Sequence, residues 1–123
     1  MKSLKNILTI VLGVLFVVFG LNGFLHFMPM PEVGPEAGAF LGAIGSTGVL
    51  FPLISIVEVA VGVMLVTRKF VPFALVLIFP ILFGATIFHA TLDMGGILPA
   101  LVFWILNIVL LVLNRSSYKA LFA

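Results

Sequence analysis

From Val49 to Val66 the chain reads VLFPLISIVEVAVGVMLV, an apolar run with one formal charge, Glu58, near its middle. A helix rises about 1.5 Å per residue, so roughly 20 apolar residues cross a hydrocarbon core about 30 Å thick. The run has spanning length, and its acid falls near the midplane. An ionised carboxylate at that depth costs on the order of 3 kcal/mol on insertion scales, and more on an isolated helix. Glu58 is therefore either protonated or paired inside a bundle, and the rest of the chain has to supply its shelter.

Composition agrees with a lipid-embedded chain. Of the 123 residues 63% are apolar and only 8% charged, where soluble domains carry roughly a quarter charged residues. A water-soluble monomer of this composition would expose too much apolar surface. The six Lys and Arg residues are scattered rather than patched, which gives no footprint for nucleic acid. With no cysteine, thiol redox chemistry, disulfides and thiolate metal sites are outside the chain's own repertoire.

Four spans follow from the apolar runs, at about 7–27, 49–66, 70–90 and 97–113. The basic start MKSLKN resembles that of a signal peptide. The apolar core behind it is longer than the usual 7–15 residues and meets no small-residue cleavage site, so an uncleaved first helix is expected. Gly13, Gly20 and Gly23 lie on one side of it, small enough for a neighbouring helix to approach closely. Met28–Gly34 reads as a proline-punctuated loop. Pro35-Glu36 then opens a short helix. Its apolar residues Ala37, Phe40, Leu41 and Ile44 recur at i, i+3, i+4 and i+7, predicting an amphipathic helix over 36–45 that is too short to span. Ser55, Glu58 and Gly62 share one face of the second span. Pro80 lies inside the third and is expected to kink it. Asp93-Met94-Gly95-Gly96 is a turn.

With four spans, Lys2, Lys5, Arg68, Lys69, Arg115 and Lys119 all fall on one side, and Glu32, Glu36 and Asp93 on the other. The positive-inside rule then predicts both termini in the cytoplasm. The expected fold is all-α: a four-helix transmembrane bundle with antiparallel neighbours and the short amphipathic helix in the first external loop. Phe19-Gly20-Leu21-Asn22-Gly23-Phe24-Leu25-His26 also resembles Phe83-Gly84-Ala85-Thr86-Ile87-Phe88-His89. In that register Glu58 matches Asn107, the pattern of two hairpins related by an axis along the membrane normal. Chance recurrence in a chain with thirteen phenylalanines is the alternative.

The candidate chemistry centres on Glu58, as proton donor or as hydrogen-bond anchor for a ligand. A structural carboxyl bonded to Asn107, or to Ser and Thr groups on neighbouring helices, is the other reading. Glu58 and Asn107 are expected to meet at similar depth, since an amide can donate to or accept from a carboxyl group. His26 and His89 sit at the outer ends of their helices, where imidazole can exchange protons with the exterior. Bis-His haem or a metal site is disfavoured, because neither His-x-x-x-His nor Glu-x-x-His spacing occurs. Asp93 follows His89 by one turn, either orienting that imidazole or capping the turn. Asn22 with His26, Thr86 with His89 and the deeper Glu58 are expected to form one polar pocket opening outward, roofed by 36–45. Most of the phenylalanines are expected to pack or face lipid.

In their order along the chain, FVVFGLNGFLHF, the proline-rich loop, IVEVAVGVMLV, FHATLDMGG and LLVLNRSSYKALF resemble the DoxX family of small bacterial membrane proteins. The resemblance spans nearly the whole chain. It implies a multi-pass, four-helix protein of the bacterial plasma membrane, and, for some relatives, association with quinone-linked sulfur oxidation or membrane redox complexes. Family membership carries fold further than reaction. Two functional classes stay open. One is a redox-associated subunit that binds quinone or another apolar ligand and passes protons through Glu58 and the histidines. The other is a non-enzymatic carrier or assembly subunit. Electron transfer would need a redox partner protein, because no cofactor motif is present. The remaining partners are the bilayer and further copies of the chain.

Overall fold

The computed structural model describes residues 2–29 and 32–123. Met1, and Met30 and Pro31 of the predicted loop, lie outside the described residues. The chain forms α1 (Lys2–Leu25), α2 (Pro35–Gly45), α3 (Leu50–Thr67), α4 (Val71–Leu92) and α5 (Ile97–Leu113), with 3-10 segments at Met94–Gly96 and Arg115–Phe122. Among the described residues four helical stretches are long and apolar enough to cross a membrane: α1, α3, α4 and Met94–Leu113. The chain is thus a multi-pass, all-helical membrane protein.

Helix boundaries follow local chemistry. Pro35 opens α2 and Pro72 lies in the first turn of α4, where a missing N–H breaks no helical bond. Arg68 ends α3 in the left-handed conformation (φ 56°), and its N–H and that of Lys69 close onto the Leu65 and Met64 carbonyls. Phe70 is also left-handed, at φ 58°. This two-step reversal turns the chain from α3 into α4 within three residues. Pro80 sits inside α4, and the helix continues through it.

The bundle is a ring in the order α1–α3–α4–α5, with α1 on α3 the most intimate contact. The cause is glycine. A methyl placed on Gly13 would stand 2.8 Å from the Val66 amide nitrogen and 2.9 Å from the Gly62 carbonyl oxygen; one on Gly62 would stand 2.7 Å from the Val17 nitrogen. Backbone therefore meets backbone, as the stripe of small residues on α1 predicts. Lipid tails are as apolar as leucine, so helix association in a bilayer rests on such contact density rather than on exclusion of water.

The dry core joins Leu12 and Phe16 of α1, Val61 and Leu65 of α3, Leu75 and Ile78 of α4, and Leu110 of α5, all at or near zero exposure. Phe16 and Phe19 close the α1–α5 side against Phe103, at ring separations of 5.2 and 5.1 Å. Trp104 packs on Phe83 at 5.5 Å. Other large apolar side chains point outward, Leu98 72% and Phe73 60% exposed. That is an acceptable surface only where the solvent is hydrocarbon.

The core lies toward the end that carries Lys5, Arg68 and Lys69, called here the basic end. The polar intramembrane residues Ser55, Glu58 and Thr86 lie toward the opposite, acidic end, near which α2 packs against α3 and α4. Phe40 of α2 stacks on Phe88 of α4 at 5.5 Å. The two hairpins are not equivalent. Gly20 is pressed against Val59 and Glu58, whereas Gly84, its counterpart in the sequence repeat, has open space around it.

Candidate functional site

Glu58 sits midway along α3 on the face that meets α1. A methyl on Gly20 would come within 3.1 Å of its Cβ, so the absence of a side chain at Gly20 leaves room for the acid. Glu58 is half-buried. Among the described residues no hydrogen bond or ion pair reaches its carboxyl group.

The expected partner is elsewhere. Asn107 is fully buried, and its Nδ2 donates to the Leu75 carbonyl of α4 at 3.1 Å. This corrects the Glu58–Asn107 pairing. The two residues stand on α3 and α5, across the ring from one another. Phe103, one turn before Asn107, already packs on Phe16 and Phe19, whereas Glu58 is level with Gly20. Asn107 therefore lies nearer the basic end. The repeat register fails for the same reason. Glu58 faces Gly20, but Asn107 faces Leu75, roughly two and a half turns from Gly84.

The remaining candidates divide by end and by role. Asn22 and His26 terminate α1. The His26 N–H donates to the Asn22 carbonyl at 2.9 Å, and Asn22 Oδ1 accepts from the Met28 N–H at 2.7 Å. His26 is exposed and left-handed at φ 52°, a helix-stop geometry. Thr86 is buried, and its hydroxyl donates to the Leu82 carbonyl of its own helix at 2.8 Å, so its hydrogen is already used. His89 Nδ1 lies 3.1 Å from Asp93 Oδ2 and 3.2 Å from the Asp93 carbonyl. With the proton on Nδ1 the ring donates to both. The imidazole also lies against the bare Cα of Gly96, where any Cβ would collide with it. Asp93 thus orients His89 and belongs to the turn at once; the two roles do not compete. Among the described residues no third His, Asp or Glu joins this pair as a metal-binding cluster.

Among the described residues no hydrogen bond joins the seven candidates into one network. His89 and Asp93 form one unit, Asn22 and His26 another, Asn107 is tied to α4, and Glu58 stands unpartnered. Two surface clefts, at the basic end and on the outer face of α1 and α3, are lined by other residues. Two polar atoms in α5 were not anticipated: Trp104 Nε1 and Asn107 Oδ1, one turn apart, are buried without a partner. The spacing of Trp104 and Asn107 marks the shared face in the sequence, but nothing there signals that a buried donor and acceptor stay unmet.

Comparison with family models, with curated proteins and with solved structures returns no match.

Proposed function

We propose that the chain is a DoxX-like membrane subunit that holds a quinone-like, apolar ligand against Glu58 and works beside a redox partner that supplies electrons. The single observation that carries this reading is the carboxyl of Glu58, without a hydrogen-bond partner among the described residues, midway along an apolar helix of spanning length. A structural carboxyl needs a partner there, and the expected donor, Asn107, is engaged with Leu75. A neutral Glu58 has one O–H to give, and a ligand carbonyl is the acceptor that hydrocarbon itself lacks. Gly20 lets α1 pack closely on α3 at the level of the acid, and α2 packs near the acidic end as a roof. In this proposal that end faces outward, both termini are cytoplasmic by the charge rule, and the oriented His89–Asp93 pair exchanges protons with the exterior. The membrane would then be a bacterial plasma membrane.

The test is labelling by a hydrophobic carbodiimide, which attacks protonated carboxyls in lipid. Glu58 is expected to label at neutral pH, decylubiquinone to slow the labelling, and Glu58→Gln to abolish both labelling and quinone retention. Labelling indifferent to saturating quinone, together with copurifying subunits, would instead support an assembly role.

A further inference from the structure

At the basic end, remote from Glu58, a cleft of about 490 Å³ opens between three elements. Lys5 and Asn6 reach it from α1, Arg68 and Lys69 from the α3–α4 reversal, and Asn114 from the end of α5. Among the described residues the only ion pair is His89–Asp93 at the other end, so three cations share this cleft with no carboxylate to neutralise them. Its hydroxyls are spent internally. Thr9 donates to the Lys5 carbonyl and Thr67 to the Val63 carbonyl. Asn114 Nδ2 likewise donates to the Leu110 carbonyl, so the groups left to recognise a ligand are the ammonium and guanidinium groups and the Asn6 amide, hydrogen-bond donors suited to an anion.

Backbone strain points to the same place. Arg68 and Phe70 hold positive φ values of 56° and 58°, a region that residues other than glycine enter at a cost. The strained reversal carries Arg68 and Lys69 to the cleft rather than along the helix axis.

A second cleft of about 280 Å³ lies on the lipid-facing surface of α1 and α3, lined by Val14, Val17, Val18, Val63, Val66 and Thr67. Thr67 lines both clefts. A polar cationic cleft and a wholly aliphatic groove thus share a wall at Thr67, the groove running from there toward the membrane interior. That sequence of environments matches one molecule: an acidic headgroup at the interface with an acyl chain below it.

We infer that the basic end of α1 and α3 is a binding site for a single anionic phospholipid, its phosphodiester held by Lys5, Arg68 and Lys69 and one acyl chain laid in the valine groove. The site is separate from the Glu58 reading and stands whether or not that reading holds.

The experiment titrates the full-length protein in mild detergent with dioleoylphosphatidylglycerol or dioleoylphosphatidylcholine and counts retained lipid by native mass spectrometry. One phosphatidylglycerol is expected to persist against excess phosphatidylcholine. Each cation beside an anionic headgroup is worth a factor of about five in affinity. Lys5→Gln with Arg68→Gln and Lys69→Gln is therefore expected to weaken retention on the order of a hundredfold. Lys2→Gln with Arg115→Gln and Lys119→Gln removes equal charge from the same end outside the cleft, and is expected to leave retention unchanged. Val63→Trp fills the groove without touching charge and is expected to weaken phosphatidylglycerol; it decides the matter even if the triple variant fails to fold. Equal losses in both triple variants, equal retention of the two lipids, or displacement by millimolar inorganic phosphate alone would overturn the site.

Discussion

Gly13 of α1 and Gly62 of α3 lie backbone against backbone: a methyl on Gly62 would stand 2.8 Å from the Gly13 carbonyl oxygen. Among the described residues no glycine joins another pair of the spanning helices this way. The contact also sets the register that puts Gly20 beside Glu58, so the acid's surroundings depend on a seam built from residues without side chains.

Enlarging the seam should separate the helices. Gly62→Val drives carbon into the Val17 nitrogen and the Gly13 oxygen, atoms that cannot swing aside. A loss of about 1–3 kcal/mol is expected, as for overpacking of a tight core. Gly84→Ala is the control, since nothing lies within 4 Å of that position, and replacing a helical glycine there should stabilise by about 0.5–1 kcal/mol. Unfolding in mixed micelles, with both variants side by side, measures the contrast.

Asn107 should behave as a packing residue with one modest hydrogen bond. Its amide donates to Leu75, but its Oδ1 is buried without a partner. Interhelical hydrogen bonds in membranes average about 0.6 kcal/mol, and Asn107→Leu also removes the orphaned oxygen. A change within about 1 kcal/mol is expected. The double variant with Glu58→Gln should be additive to within about 0.5 kcal/mol. A larger coupling energy would restore the pairing that the geometry denies.

Tyr118 pins the C-terminal 3-10 segment to the bundle, its hydroxyl donating to the Pro72 carbonyl at 2.9 Å. Partial burial raises the phenol above its ordinary value of 10.0, because the phenolate is the form that loses solvation. The docked state therefore holds its proton to higher pH than the undocked chain. Its contribution is complete below pH 10 and disappears as pH climbs through the raised value. Tyr118 is the chain's one tyrosine, so phenolate absorbance reports it cleanly. A midpoint above 10 is expected in intact protein, falling toward 10 on unfolding. Tyr118→Phe should loosen the segment without altering the four spans, as judged by protease sensitivity after Asn114.

Helix positions were legible in the sequence because each is written twice, once in the apolar run and once in its punctuation. Pro35 and the 93–96 turn begin or end elements where expected. The α1–α3 face was legible too, since Gly13, Gly20, Gly62 and Ser55 fall at helical spacing. What one-dimensional spacing could not supply was partner choice between helices. Asn107 and Glu58 occupy similar fractions of their runs, yet ring order sets α3 and α5 across from each other. Register is decided by backbone approach at the glycines, not by matching polar residues. Asn22 and His26 look like pocket residues because they are polar and near a membrane surface. The Asn22 side chain accepts from the Met28 N–H, and His26 marks the helix stop through its backbone. The basic cleft was half visible as six cations on one side; its convergence needed the left-handed turn at Arg68 and Phe70, which nothing in Thr67-Arg68-Lys69-Phe70 announces.

The glycine seam uses nothing beyond Thr67. Once that much of the chain has entered the bilayer, α1 and α3 have all they need to zip shut, before either later helix has been inserted beside them. The two remaining crossings then arrive against a preformed wall, on which the acid's neighbours from α1 are already fixed.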